Sequence, residues 1–221
     1  MNKKNIKSFE KWKTEEVRMT FGIQFVENHA LMDDLCASSF PEEEKHKERI
    51  EELRIRLKRF ANFWSEEDVK VFFVIPIIDI VNFYVFGKYR AFMEATFSAQ
   101  IQDVKGNLCD LRGRVEFLVA TGEQDPQTPF FFLNEYKPQI KAVSDPQGQL
   151  LIAMLAAQVK NNGKNLPIYG LYSIGQFWFF LILQGSSYVS SKAFDATDAE
   201  DLKQIINMLR YVKAHIEKNI A

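Results

Sequence analysis

A change in hydrophobic periodicity near residue 89 constrains the fold of this chain more than any other feature. Before it, Gly and Pro are sparse and apolar residues recur at helical spacing. After it, three β-like runs, RAFMEATFSAQI, GRVEFLVA and PFFFLNEYK, alternate with segments that contain Gly or Pro. A helix opened by Asp145-Pro146, two further strands and a last helix with a capping box of Thr197 and Glu200 follow. This order predicts an α/β fold in which a mixed sheet is flanked by helices.

The same change divides the chain into a helical region at 1–64, in which residues 14–35 look helical but poorly patterned, and a domain at 65–221. In the first part, apolar residues at spacings of three and four predict one buried helix face: Ile50, Leu53, Leu57, Phe60 and Trp64. The other faces of that helix carry seven cations: Lys45, Lys47, Arg49, Arg54, Arg56, Lys58 and Arg59. Glutamates interleave with them, which favours a solvated, ion-paired surface, and contact with a phosphate backbone is the alternative.

The most apolar segment, residues 71–86, is too short for a membrane span, which needs roughly 20 apolar residues. Pro76, Asp79 and Asn82 interrupt it, so it predicts a buried helix with a kink near Pro76. Ser65 followed by Asp68 resembles a cap at the start of this helix. The basic N-terminus has no apolar run followed by a cleavage site, and Cys36 and Cys109 have no C-x-x-C spacing. The expectation is therefore a cytoplasmic protein without a membrane partner.

Charge and histidine content narrow the possible binding sites. The chain has 28 Lys and Arg against 29 Asp and Glu, so no global positive field attracts nucleic acid, and such binding must be local. The three histidines are scattered and share no metal-ligand spacing.

Two neighbouring strands bring acidic residues toward one another. Residues two apart in a strand share a side, so Glu135 and Lys137 project together. Glu116 lies within the apolar run GRVEFLVA, and a hairpin centred between residues 125 and 126 places it opposite Glu135. Two facing carboxylates repel, and a divalent cation, Mg²⁺ or Mn²⁺, compensates for this. Glu94 is either a further carboxylate of this site or an ordinary surface residue.

The carboxylate of Glu116 on one strand, Glu135-x-Lys137 on the next and a following helix with Gln149 resemble the PD-(D/E)XK, or restriction-endonuclease-like, superfamily. The resemblance covers roughly residues 66–216, and the chain looks most like uncharacterised bacterial members of this superfamily. It implies a restriction-endonuclease-like core, Mg²⁺ held by Glu116 and Glu135, activation of water by Lys137, and a Gln149 that orients water or backbone. The implied activity is hydrolysis of phosphodiester bonds, with DNA rather than RNA as the expected substrate.

Two departures from the family pattern leave a second hypothesis open. Glu116 stands where the family most often has Asp, which moves the metal ligand by one methylene, and Gln149 is followed four residues later by Ala153 rather than Tyr. The alternative is a catalytically inactive, nuclease-like binding or scaffold protein. In either case, the N-terminal helices are candidates for a homodimer contact.

Overall fold

The computed structural model describes residues 6–137, 145–161 and 166–220, with the side chains at 6, 129, 131–135, 137 and 220 excepted. The chain forms an α/β structure in which one mixed, ten-stranded sheet separates two layers of helices. The α/β class predicted from the sequence is therefore confirmed. None of the helices in the described ranges is both long enough and apolar enough to cross a bilayer.

The first part of the chain contains helices and also two strands of the sheet. Its elements are β1 (Ile6–Ser8), a 3₁₀ turn (Phe9–Lys11), α1 (Thr14–Phe21), β2 (Gln24–Phe25), α2 (Ala30–Cys36) and α3 (Glu44–Phe60). The region 14–35 was expected to be helical throughout, but α1 ends at Gly22, which has a φ of 67°. Glycine adopts this left-handed conformation without steric cost, so it ends the helix there.

The central part supplies an interrupted helix and most of the sheet. The helical segment is α4 (Glu66–Val69), a π-helical turn (Lys70–Val74) and α5 (Ile75–Val81), and the strands after it are β3 (Tyr84–Val85), β4 (Tyr89–Gln102), β5 (Leu108–Thr121) and β6 (Gln127–Lys137). The remaining elements are α6 (Pro146–Lys160), β7 (Ile168–Ile174), β8 (Phe177–Gln184), β9 (Ser187–Ser190), β10 (Phe194–Asp195) and α7 (Ala199–Ile220).

Neighbouring strands in the sheet follow the order β2-β9-β8-β7-β6-β5-β4-β3. From β4 to β8 all pairs are antiparallel except β6 with β7, which are parallel and joined through α6. Parallel neighbours need such a crossover because the last residue of one strand and the first residue of the next lie at opposite ends of the strands. Outside this path, β1 pairs with β5 and β10 with β8.

The two faces of the sheet carry separate cores. The first core packs α2 to α5 and α7 against Phe117, Tyr136 and Trp178. The second core packs α1, the 3₁₀ turn and α6 against Val115, Leu118 and other strand residues. Helix α6 is apolar nearly all round, as expected for a helix covered on several sides.

A bulge in β6 is held by a side chain from the end of α6. Residues 117–119 of β5 pair in one register, but Ala120 pairs with Phe130 after a shift. The buried Asn161 side chain accepts from the Phe130 N–H at 2.7 Å and donates to its carbonyl at 2.8 Å. The backbone groups that the irregular ladder leaves unpaired are thus satisfied, which makes the bulge stable in a buried position.

Helix caps were predicted correctly in two places and wrongly in a third. Ser65 and Asp68 form a reciprocal capping box, and the Asp145 carboxylate accepts from the Gly148 N–H. The last helix was expected to be capped by Thr197 with Glu200. Its first N–H groups bond to Asp198 instead, because the hydroxyl of Thr197 donates to Asp195.

Candidate functional site

Three charged side chains from separate elements meet on the first-core face of the sheet. The Lys70 ammonium in the π-helical turn donates to Glu94 Oε1 of β4 at 2.9 Å and lies 3.6 Å from Glu116 Oε1 of β5. Arg114 Nε lies 2.8 Å from the other oxygen of Glu94. Side-chain exposure is 14% for Glu116, 17% for Lys70 and 38% for Glu94. Lys70 and Glu116 are therefore largely withdrawn from solvent, whereas Glu94 is partly exposed.

The irregular helix places Lys70 at this position. Pro76 is the second residue of α5 and has no N–H to donate to the preceding turn, and the five residues from Lys70 to Val74 are wound as a π turn. A distortion near Pro76 was predicted from the sequence and is confirmed. Such π turns occur frequently at functional sites, because they change the direction in which a helix presents its side chains.

Glu94 has an unusual backbone conformation. Its φ is 53°, in the left-handed region, although it lies in the middle of β4 and is not glycine. The ladder pairs Met93 with Phe117 and Ala95 with Val115, so Glu94 occupies the position opposite Glu116. A non-glycine residue held in this conformation costs about 1 to 3 kcal/mol, and such strain concentrates at functional sites.

The alternation of side chains along β5 also changes at Glu116. Val115 belongs to the second core, whereas Phe117 and Val119 belong to the first. Regular alternation would place these three residues on one face. The switch allows Glu116 to face the helical layer that carries Lys70.

The charges of the cluster act on one another. Burial alone lowers the pKa of Lys70, but the hydrogen bond to Glu94 and the charge of Glu116 outweigh burial, so its pKa is raised. Glu66, at the start of α4, contributes in the same direction. Tyr136 lies buried on β6, and its pKa is raised by burial first and then by the charges of Glu66 and Glu116. Lys70 is therefore charged and Tyr136 neutral at physiological pH.

The predicted hairpin register is observed beside this cluster. Residues 117, 118 and 119 pair with 134, 133 and 132. Continued by one residue, the same register places the backbone of Glu116 opposite that of Glu135. Lys137 is the last residue of β6 and pairs with Ile174 of β7. The side chains of Glu135 and Lys137 lie outside the described residues, so the proximity of their functional groups to Glu116 stays a prediction.

Gln149 lies on α6, whose buried residues belong to the second core, on the other face of the sheet from Lys70. Its side chain is buried, and none of the described groups donates a hydrogen bond to its Oε1. The part of the structure that is described gives Gln149 no contact with Glu116. The role predicted for Gln149 therefore stays a prediction.

Sequence reasoning identified Glu116 and named Glu94 as an alternative, but it did not include Lys70 or Glu66. The signal was present, since Glu66 and Lys70 are four residues apart and so share a helix face. The more evident pattern in this helix is its apolar face, which predicts burial rather than a charged site.

The donor types at the cluster suit a hard divalent cation. Mg²⁺ is commonly held by one or two carboxylates together with waters and phosphate oxygens, and Glu116, with Glu94 close by, supplies such oxygens. Among the side chains that the structure describes, no three His, Cys, Asp or Glu are grouped as a complete metal site. A complete site would therefore need a further ligand, and Glu135 stays the prediction of the sequence for it.

A separate cleft lies elsewhere. It has a volume of about 1110 Å³ and is formed by the turns between β3 and β4 and between β5 and β6. Arg90 lines it, and Arg90 is about 13 Å along β4 from Glu94 at the usual rise per strand residue. We place the candidate site at the charged cluster because the strained backbone and the buried charges occur there and not in the cleft.

Replacement of Lys70 by Met is expected to lower the free energy of unfolding by about 2 kcal/mol. Two carboxylates would then face each other without the ammonium, and the value is set below that of a fully buried pair because Glu94 is more than a third exposed. Because the folded-state pKa is raised, the loss should be constant between about pH 6 and pH 9 and should disappear only above the lysine pKa.

Urea unfolding of Lys70→Met and of the exposed control Lys88→Met measures this effect. Lys88 lies in the turn after β3, and its replacement should leave stability unchanged. Mg²⁺ should restore stability to Lys70→Met if the carboxylates can hold a divalent ion in place of the ammonium. Equal stability of Lys70→Met and the wild type would contradict the role assigned to Lys70.

Comparison with known proteins adds no family to this geometry. No protein-family model matches the chain, and no curated protein is similar to it.

Proposed function

We propose that this protein is a metal-dependent nuclease with a restriction-endonuclease-like core, which hydrolyses phosphodiester bonds of nucleic acid. The observation that carries the proposal is the position of Glu116. It is a largely buried carboxylate on β5, its strand register leads to Glu135 on β6, and the strained Glu94 lies opposite on β4. Strands β4, β5 and β6 form a meander, and α6 connects β6 to the parallel strand β7. This strand, strand, helix order is the one in which the resembled superfamily carries its Glu-x-Lys pattern, here Glu135 and Lys137.

Each residue of the site has a separate role in this proposal. Glu116 and Glu135 would hold Mg²⁺ or Mn²⁺, which when bound supplies a Lewis acid and lowers the pKa of a water ligand. Lys137, at the end of β6, would orient the attacking water or stabilise charge on the phosphate. Lys70 keeps Glu94 and Glu116 together before metal and substrate bind. Gln149 lies on the other face of the sheet from Lys70, and its role in orienting water or backbone stays a prediction from the sequence.

A second candidate function is a nuclease-like binding protein that does not cleave. It is favoured by the Lys70 ammonium, which lies within 3.6 Å of Glu116 and already supplies positive charge to the carboxylates. In this case no metal is needed to stabilise the cluster, and the exchange of Asp for Glu at position 116 has no catalytic consequence.

Titration with Mg²⁺ and Mn²⁺ separates the two functions. Labelled single-stranded and duplex DNA and RNA are incubated with the wild type and with Glu135→Ala and Lys137→Ala. The nuclease proposal expects cleavage that requires metal, stops with a chelator and is lost in both variants. Cleavage that persists in both variants would mean a contaminating enzyme. The absence of metal binding and of cleavage in the wild type would leave the binding protein.

A further inference from the structure

Exposed aromatic side chains lie together where α3 ends and the interrupted helix begins. Phe63 is 83% exposed, and Phe60 and Phe72 are also exposed. The rings of Phe60 and Trp64 are stacked with centroids 5.9 Å apart, and those of Trp64 and Phe72 are 5.8 Å apart. We call Phe60, Phe63, Trp64 and Phe72 the aromatic ladder. Apolar surface grouped in this way marks an interaction site more often than a single exposed residue does.

Two cations with no counterion among the described residues, Lys58 and Arg59, border the ladder. The cations of α3 from Lys45 to Arg56 pair with glutamates at 2.5 to 2.9 Å, as the ion-paired interpretation of this helix expected. Lys58 and Arg59 differ, because none of the described carboxylates lies within ion-pair distance of them. The Arg59 guanidinium lies 5.4 Å from the centre of the Phe60 ring. The alternative interpretation, contact with phosphates, therefore applies to this end of the helix alone.

The ladder shares a helical segment with the candidate site. Phe72 and Lys70 belong to the same π-helical turn, one reaching Trp64 and the other Glu94. Residues two apart on a helix point to different sides, so the ladder and the carboxylates lie on different faces of this segment. Aromatic faces for bases beside cations for phosphates are typical of surfaces that bind single strands.

We propose that the aromatic ladder, with Lys58 and Arg59, binds single-stranded nucleic acid. The class of ligand rests on the proposed function, but the binding itself does not require cleavage. Single strands are favoured over duplexes because only unpaired bases offer their faces to stacking. Sequence preference is expected to be weak, since every base has such a face.

Fluorescence anisotropy with a labelled oligothymidylate in EDTA tests the binding without metal or cleavage. Phe63→Ala should weaken binding about tenfold through the loss of one stacking contact. The matched control is Phe86→Ala, since Phe86 is 84% exposed and lies in the turn between β3 and β4. Arg59→Ala should also weaken binding, whereas the ion-paired Arg49→Ala should not. An abasic strand of equal length and a duplex should both bind more weakly than the oligothymidylate.

Several results would overturn the inference. These are an equal effect of Phe63→Ala and Phe86→Ala, equal binding of the abasic strand, and equal binding of the duplex. Loss of a dimer in Phe63→Ala with unchanged oligonucleotide binding would assign the ladder to a second copy of the chain. Ladder-dependent binding without cleavage in Mg²⁺ would refute the nuclease and retain this inference. Cleavage that needs Glu116 but tolerates Phe63→Ala, with unchanged binding, would refute the ladder alone.

Discussion

Glu116→Gln should lower the rate of metal-dependent cleavage by about a thousandfold. The variant keeps the size and hydrogen-bonding capacity of the side chain but removes the charge that would hold the cation, and the loss of an electrostatic contact of this kind in a reacting site has effects of that order. The position of Glu116 supports a strong effect, since the side chain is only 14% exposed and lies between β4 and β6 in the sheet. Initial rates at saturating Mg²⁺ and metal affinity by calorimetry measure it.

Two companion variants make this result interpretable. Glu116→Asp restores the residue most common in the resembled family and should keep cleavage within about tenfold of the wild type, because charge is retained and only ligand distance changes. Glu123→Gln, in the turn between β5 and β6, is the matched control and should have no effect. Cleavage by Glu116→Gln at the rate of the wild type would exclude Glu116 as a metal ligand.

Gly148→Ala should destabilise the protein by about 3 kcal/mol, although a glycine-to-alanine change inside a helix normally stabilises it. A methyl group at Gly148 would lie 2.5 Å from Thr14 N and 2.7 Å from Trp12 O. These are backbone atoms and cannot rotate away. The Asp145 carboxylate accepts hydrogen bonds from the backbone N–H groups of Gly148 and Thr14. These bonds hold the starts of α1 and α6 together, so the clash cannot be relieved by a local movement.

Denaturant unfolding of Gly148→Ala and Gly87→Ala checks this prediction. Gly87 has a φ of 70° and no atom within 4 Å of an added methyl group, so its replacement should cost only about 1 kcal/mol of backbone strain. A Gly148→Ala protein as stable as the wild type would show that α1 moves away from α6 without penalty.

Local features of the sequence predicted much of the fold. Pro76 predicted the interruption of the helix, and Ser65 with Asp68 predicted the cap of that helix. Asp145-Pro146 predicted the start of α6. The register between β5 and β6 was also predicted, although for an incomplete reason. The turn is centred nearer the N-terminus than expected, and the bulge at Phe130 compensates by shifting the ladder. Sequence alone did not reveal the buried Asn161 amide that stabilises this bulge.

The candidate site was predictable only in part. A carboxylate inside an apolar strand is costly, so Glu116 was recognisable from its neighbours. The compensating group was expected to be a metal ion, yet Lys70 provides a positive charge from a helix that precedes β5 by more than thirty residues. The left-handed backbone of Glu94 has no sequence signal, because nothing in the run RAFMEATF departs from an ordinary strand.

The amino-acid sequence by itself determined the α/β class, the order of the longer strands β4 to β8 with α6 and α7, and the starts of several helices. These depend on neighbours within a few positions, whose steric and hydrogen-bonding preferences act locally. Only the tertiary structure decided that Lys70 lies between Glu94 and Glu116, that Gly148 must lack a side chain and that the rings of Phe60, Trp64 and Phe72 pack together. Such contacts join residues far apart in the chain, and they exist only where two cores pack on opposite faces of one sheet.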